Sequence, residues 1–152
     1  MRQGLALLGF VVLCLALGAL GAAVTAPAIP TWYAALAKPS FNPPNWIFAP
    51  VWTTLYVIMA IAAWLVWRRG DARIPLTLFA VQLVLNSAWS LIFFGLHRVD
   101  LALVDIVLLL TAIVATALSF RRRSAVAALL LVPYLAWVSF ATVLNAAIWR
   151  LN

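Results

Sequence analysis

The sequence predicts an all-α integral membrane protein, a bundle of five transmembrane helices with one structured, proline- and aromatic-rich loop between the first two. Three observations predict this fold. Of the 152 residues, 68% are hydrophobic and 9% are charged, which is more apolar surface than a soluble domain could bury. Five apolar runs each approach the roughly 20 helical residues that a bilayer span requires. The long interruption between the first two runs is rich in proline and aromatic residues.

We predict helices over residues 5–26, 47–67, 75–95, 101–120 and 125–149, within a single domain over residues 1–152. Residues typical of helix ends and helix starts stand at the joints; they are Gly70, Gly95, Pro75, Asp100 and Ser124. Within the fifth run, Pro133 removes a backbone donor and predicts a kink just before Tyr134.

The first run begins like a signal peptide, with Arg2 and a small-residue segment at 26–28. It is longer than a usual signal core, so we predict that it stays as a helix. Gly18, Ala22 and Ala26 are spaced four residues apart, which favours close helix packing. That packing is either within the bundle or between subunits.

The loop over residues 27–46 is predicted to be a lid on one mouth of the bundle. Prolines at 39, 43, 44 and 50 break any continuous helix across the surrounding stretch, 32–52, and favour an extended path. The same stretch carries more aromatic surface than a solvated linker needs. A membrane-interface belt of Trp and Tyr is the alternative interpretation.

Basic residues indicate the orientation of the chain. Seven of the ten Lys and Arg residues fall on the face that holds the N-terminus and the loops after the second and fourth runs, and three fall on the lid face. The positive-inside rule then places the N-terminus in the cytoplasm. Because the basic residues flank apolar runs, we interpret the net charge of +7 as a topology and lipid-headgroup signal and do not predict nucleic-acid binding.

Polar and aromatic residues on four helices lie in the halves nearest the lid, and they predict an aromatic small-molecule pocket there. The candidate lining residues are Trp52, Tyr56, Asn86, Trp89, Phe93, Trp137, Ala141 and Asn145. Gln82 is better explained as a hydrogen-bonding link between helices. Asp105 is an acid well inside an apolar run and should face the bundle beside a donor such as Asn145, Lys38 or Arg98. A functional role and a structural role for Asp105 both stay open.

Three segments resemble the tryptophan-rich sensory protein / translocator protein (TspO/MBR) family, which includes the mitochondrial peripheral benzodiazepine receptor. They are WYAALAKPSFNPPNWIFAPVWTTLY, QLVLNSAWSLIFFG and LVPYLAWVSFATVLNAAIWR. The resemblance implies a five-helix bundle, usually a homodimer, that binds porphyrins and in some members cholesterol. It places ligand-pocket positions at Tyr33, Trp52, Asn86, Trp89, Trp137 and Ala141, and a family acid at Asp105. Ala146 and Ala147 replace tyrosines of the family's sterol segment, which weakens the case for cholesterol here.

The predicted function is that of a sensor or carrier of tetrapyrroles in a bacterial cell membrane. The single histidine, His97, falls in a loop, so no buried imidazole is expected to bind haem iron. We therefore expect a metal-free porphyrin, or haem held without an axial histidine, and no resident cofactor or metal. No nucleophile–base pair stands out, and the single Cys14 excludes disulfides within the chain. The alternatives are light-dependent porphyrin degradation and a regulatory membrane scaffold.

Overall fold

The computed structural model describes residues 2–152, and across that range the chain is helical, with turns and short loops at the joints. The helices are α1 (Arg2–Ala28), α2 (Phe48–Trp67), α3 (Arg73–Ser90), α4 (Val99–Arg121), α5 (Ala125–Leu130) and α6 (Val132–Leu151). α5 and α6 together form the fifth span. Five helical segments are long and apolar enough to cross a membrane, so the predicted fold class is confirmed and the chain is a multi-pass membrane protein.

The first helix runs further than predicted. α1 continues through a π-helical turn, Ile29–Tyr33, so that Trp32 and Tyr33 are helical. Pro27 and Pro30 each lack a backbone N–H and crowd the carbonyl four residues earlier, and a π turn widens the helix where that crowding occurs. The non-helical part of the lid is therefore residues 36–44, which is shorter than the predicted 27–46.

The lid is a folded structure that caps the end of the first span. The Lys38 ammonium donates to the carbonyls of Tyr33, Ala34 and Leu36 at 2.7, 3.3 and 2.8 Å. These carbonyls lie where the helix ends, so the lysine satisfies acceptors that would otherwise lack partners. The Tyr33 hydroxyl donates to Asn42 Oδ1 at 2.8 Å, which ties the far part of the lid to the same helix end.

A second set of contacts fixes the lid to the end of α6. Asn152 Oδ1 accepts from the Ala37 N–H at 3.0 Å, and Asn152 Nδ2 donates to the Ala37 carbonyl at 2.9 Å. The ring of Phe41 meets that of Phe140 edge-on, with centroids 6.3 Å apart. The lid therefore lies across α6 at the end of the bundle.

The fifth span is interrupted near Pro133, as predicted. α5 ends at Leu130, and the Leu131 N–H donates to the Ala128 carbonyl, three residues earlier, at 3.1 Å. α6 starts one residue before the proline. The proline ring cannot fit against the carbonyl four residues earlier in a regular helix. The predicted cap at Ser124 is present, since its side chain accepts from the Ala127 N–H at 3.2 Å. Asp100 does not cap α4; it lies in the first turn and pairs with Arg98.

α1 packs closely within the bundle where glycines lie, and Gly18 and Gly95 give the tightest contacts. A Cβ on Gly18 would lie 2.7 Å from the Tyr56 ring of α2. A Cβ on Gly95, after α3, would lie 3.2 Å from Val24 of α1. Glycine is thus required at 18 for helix contact, which agrees with the predicted close packing and places it between helices of one chain.

Candidate functional site

The lid-proximal half of the bundle encloses a cavity of about 380 Å³. Ligand sites typically span about 300–1,000 Å³, so this cavity is large enough for a small molecule. Every residue that the sequence placed in the pocket lines it: Tyr33, Trp52, Tyr56, Asn86, Trp89, Phe93, Trp137, Ala141 and Asn145. Tertiary folding brings these residues together from four of the five spans: Tyr33 ends the first span, and the others lie on the second, third and fifth.

Aromatic rings form much of the cavity wall. On α2, the rings of Trp52 and Tyr56 lie 5.8 Å apart at 35°. Across α3 and its π-helical end, Trp89 stacks on Phe93 with centroids 5.1 Å apart at 25°. Each aromatic ring has few side-chain torsions, and contact with a neighbouring ring restricts them, so the rings are held rigidly. The cavity therefore offers flat, fixed apolar faces to a ligand.

Buried hydrogen bonds connect α2, α3 and α6 at the cavity floor. The Tyr56 hydroxyl donates to Asn86 Oδ1 at 2.5 Å, and Asn86 Nδ2 donates to the Tyr134 hydroxyl at 2.9 Å. Tyr134 in turn donates to Gln82 Oε1 at 2.6 Å. Gln82 therefore links helices, as predicted. Asn86 is already bonded on both its oxygen and its nitrogen, so its first role is to hold the floor rather than to orient a ligand.

A second set of hydrogen bonds links Trp89 and Asn145 in the cavity wall. Trp89 Nε1 donates to Asn145 Oδ1 at 3.0 Å, and Asn145 Nδ2 donates to the Val99 carbonyl at 3.0 Å. The carbonyl of Val99 belongs to the first turn of α4. Asn145 therefore joins α3, α4 and α6, and it sets the plane of the Trp89 indole against the cavity.

Trp137 is different from the other polar groups of the wall. Its Nε1 is buried and has no hydrogen-bond partner within residues 2–152. A buried N–H without a partner is unusual and calls for an explanation. Trp137 lines the cavity, so this unpaired donor belongs to a residue of the cavity wall.

The expectation that Asp105 faces the bundle is confirmed by its burial, but the expectation that it lies beside Asn145, Lys38 or Arg98 is wrong. Asp105 is buried, but it does not line the cavity, and its Oδ2 has no hydrogen-bond partner among the described residues. The expected donors are engaged elsewhere: Asn145 with Val99, Lys38 with the lid carbonyls, and Arg98 with Asp100. Lys38 and Arg98 bond groups close to them along the chain, whereas Asn145 bonds a carbonyl of α4. Asp105 thus stands apart from the cavity wall.

Sequence reasoning missed the wall that α1 contributes. Gly18, Ala22, Thr25 and Ile29 all line the cavity. The row of small residues on α1 was interpreted only as a helix-packing surface. The available signal was that small side chains repeated along the lid-proximal half of α1, where they leave room for a ligand as well as for a neighbouring helix.

His97 lies outside the cavity wall, at the joint between the third and fourth spans. It adopts a left-handed backbone with φ of 56° and stacks on Trp32, with ring centroids 4.3 Å apart. Trp67 and Trp149 are 39% and 52% exposed at helix ends.

The chain matches the TspO/MBR family over residues 10–150. It is 49% identical over 144 residues to Tryptophan-rich protein TspO of Chlorobaculum tepidum, covering 92% of this chain and 91% of that protein. It is 47% identical over 126 residues to Translocator protein of Homo sapiens, covering 80% and 75%. Protein CrtK of Rhodobacter capsulatus is 40% identical over 147 residues, covering 94% of this chain and 90% of that protein.

Proposed function

Since the chain belongs to the TspO/MBR family, we propose that it is a membrane sensor or carrier that binds a tetrapyrrole in the cavity beneath its lid. Family membership, together with relatives named as sensory and translocator proteins, supports a sensor or transporter role in the membrane. Its place in a bacterial cell membrane and its assembly as a homodimer belong to the same proposal.

The observation that carries this proposal is the cavity walled by aromatic rings beneath the lid. A porphyrin is a flat conjugated macrocycle, which stacks well on fixed indole and phenol faces. No imidazole lines the cavity among the described residues, so a metal-free porphyrin suits it better than haem that needs an axial histidine.

The lid lysine is not free to bind the ligand's acidic groups in this conformation, because Lys38 already donates to three carbonyls. A lysine ammonium has three donors in total. The cavity wall is otherwise mostly apolar. We therefore expect macrocycle stacking to dominate the affinity, so that esterifying the two porphyrin carboxylates should change affinity less than losing an aromatic wall residue does.

The test is a titration of the protein in detergent with protoporphyrin IX, its dimethyl ester, haem and cholesterol. Binding is followed by the absorbance shift of the porphyrin, since tryptophan variants change the intrinsic fluorescence. Trp52→Ala and Trp137→Ala should each weaken protoporphyrin binding by about 1–3 kcal/mol, as expected for the loss of a large stacked group. Trp67→Ala is the matched control, because Trp67 lies at the far end of α2, and it should bind normally. Equal losses in all three variants would refute the cavity as the site.

A further inference from the structure

Small residues on the facing edges of α1 and α2 lie along a seam in the cavity wall. Ala19, Ala22 and Ala26 of α1 and Ala49 and Thr53 of α2 all line the cavity, and all five are exposed. On α1 these residues lie on the edge away from Gly21, which packs beside Ser90 of α3. Along this seam the cavity wall is therefore built from small, exposed side chains.

The side-chain contacts that join α1 to α2 lie away from the seam. The Trp64 N–H donates to the Gln3 carbonyl at 3.0 Å, and the Phe10 and Trp67 rings lie 6.4 Å apart. The Gly18 contact with Tyr56 is the last of this series in the direction of the lid. From Ala19 to Ala28, no hydrogen bond or ring contact joins α1 to α2 within the described residues. The two helices are thus held together at one end and free of such contacts at the other.

The seam is apolar, although it includes a hydroxyl. Thr53 Oγ1 donates to the Ala49 carbonyl of its own helix at 2.8 Å. The hydroxyl is therefore satisfied within α2, and only the methyl group is left to face an apolar environment. The seam lies in the lid-side half of the span Arg2–Tyr33, which is strongly hydrophobic and mostly unburied. In a bilayer this surface faces hydrocarbon, where a porphyrin macrocycle is also soluble.

The lid, in contrast, closes the aqueous mouth with several polar contacts. Asn152 pairs with both backbone groups of Ala37, Tyr33 bonds Asn42, and Lys38 caps the helix end. Opening the lid requires breaking several of these bonds together. Separating the seam requires no loss of a hydrogen bond.

We propose that the ligand enters and leaves the cavity sideways from the bilayer through the seam between α1 and α2, while the lid stays latched on α6. This inference rests on the proposed function, since it concerns the route to the same cavity. Its consequence is that the rate of binding follows the mole fraction of porphyrin in the lipid rather than its concentration in water.

The experiment uses the full chain in phosphatidylcholine vesicles mixed with vesicles that carry protoporphyrin IX, followed by stopped-flow quenching of tryptophan fluorescence. Ala26→Phe and Ala49→Phe obstruct the seam, and Ala16→Phe is the matched control, because Ala16 is exposed on α1 and does not line the cavity. Overpacking costs about 1–3 kcal/mol, so both association and dissociation should slow about tenfold or more in the seam variants and stay normal in the control. Ala26→Val and Ala49→Val give a smaller decrease in the same direction if the Phe variants fold poorly.

The lid route is tested in parallel with Asn152→Ala. Hydrogen exchange at the Ala37 amide should quicken in this variant, because its acceptor is lost, and this readout does not depend on any ligand. With the seam as the route, Asn152→Ala leaves both rate constants unchanged. Faster association and dissociation in Asn152→Ala, with normal rates in the seam variants, would overturn the inference. So would weaker affinity in the seam variants that comes from faster dissociation alone. A protein that shows no saturable protoporphyrin binding at equilibrium would instead refute the proposed function.

Discussion

At the scale of single residues, the Tyr134 hydroxyl holds the cavity floor. Tyr134 as a whole is 1% exposed, and its hydroxyl accepts from Asn86 Nδ2 and donates to Gln82 Oε1. Two buried amides on α3 therefore depend on one oxygen of α6. In a low-dielectric interior, a buried polar group without its partner costs more than the hydrogen bond itself contributes.

The first prediction concerns this hydroxyl. Tyr134→Phe removes the oxygen and leaves both amides short of a partner, so the protein should lose about 1–3 kcal/mol of stability. A thermal melt in detergent measures the loss. Tyr33→Phe is the matched control, since it gives up one half-buried bond to Asn42 in the lid. A Tyr134→Phe variant as stable as Tyr33→Phe would show that the floor bonds do not hold the helices.

The second prediction concerns Ala141, the small residue between Trp137 and Asn145 on α6. Ala141→Thr adds two heavy atoms to the cavity wall and a hydroxyl that can bond back to the Trp137 carbonyl. Overpacking of about 1–3 kcal/mol should weaken porphyrin binding roughly tenfold, while the protein still inserts and folds. Affinity and melting temperature are measured on the same variant. Normal affinity with a lowered melting temperature would mean that Ala141 meets a helix rather than the ligand.

At the scale of helices, proline controls where the spans bend and end. Pro27 and Pro30 lie in and just after α1, and the π turn after Ala28 carries the helix past them to Tyr33. Without that turn Tyr33 would fall in the loop, away from the cavity it lines. Pro133 has the opposite result, since it separates α5 from α6 and sets a new helix start just before Tyr134.

The third prediction concerns the contact between α1 and α2. In Gly18→Ala the new Cβ would stand 2.7 Å from the Tyr56 ring, closer than carbon atoms approach, so the ring must move away from Asn86. We expect a loss of about 1–3 kcal/mol in stability from this overpacking. Gly9→Ala is the control on the same helix: no atom lies within 4 Å of its new Cβ, and better helix propensity should make it neutral or slightly stabilising. Equal melting temperatures for the two variants would contradict the close packing.

At the scale of the whole molecule, the bundle separates a basic end from a lid end. Arg123 pairs with Asp71 at 2.8 Å, which brings the loops after α2 and α4 to the same end. Those two loops and the start of α1 hold seven of the ten Lys and Arg residues. The structure thus gathers into one face the charges that the sequence had counted separately.

The fourth prediction is the orientation of this basic end. The positive-inside rule places it in the cytoplasm, and five spans put residue 152 on the opposite side. A reporter that is active only outside the cytoplasm should therefore work when fused after Asn152 and fail when inserted at 121–124. The reverse pattern of activity would invert the topology.

Most of the fold followed from local features of the sequence. The spans could be predicted because a helix in hydrocarbon must be long and apolar and must satisfy its own backbone hydrogen bonds. The cap at Ser124 and the break before Pro133 depend on one residue and its near neighbours, so they could be predicted. The end of the first span could not, because two prolines argue for a loop and only the π turn accommodates them.

Polar side chains are costly in a membrane unless they have a partner, and the sequence alone shows where such residues stand. It therefore identified the aromatic and amide residues of α2, α3 and α6 that line the cavity. Only the tertiary structure decided how they pair. Asn86 is bonded between two tyrosines, Asp105 stands outside the cavity, and α1 supplies a wall of small residues. The physical reason is that burial cost belongs to each side chain and its own segment, whereas a hydrogen-bond partner or a cavity exists only where separate helices meet.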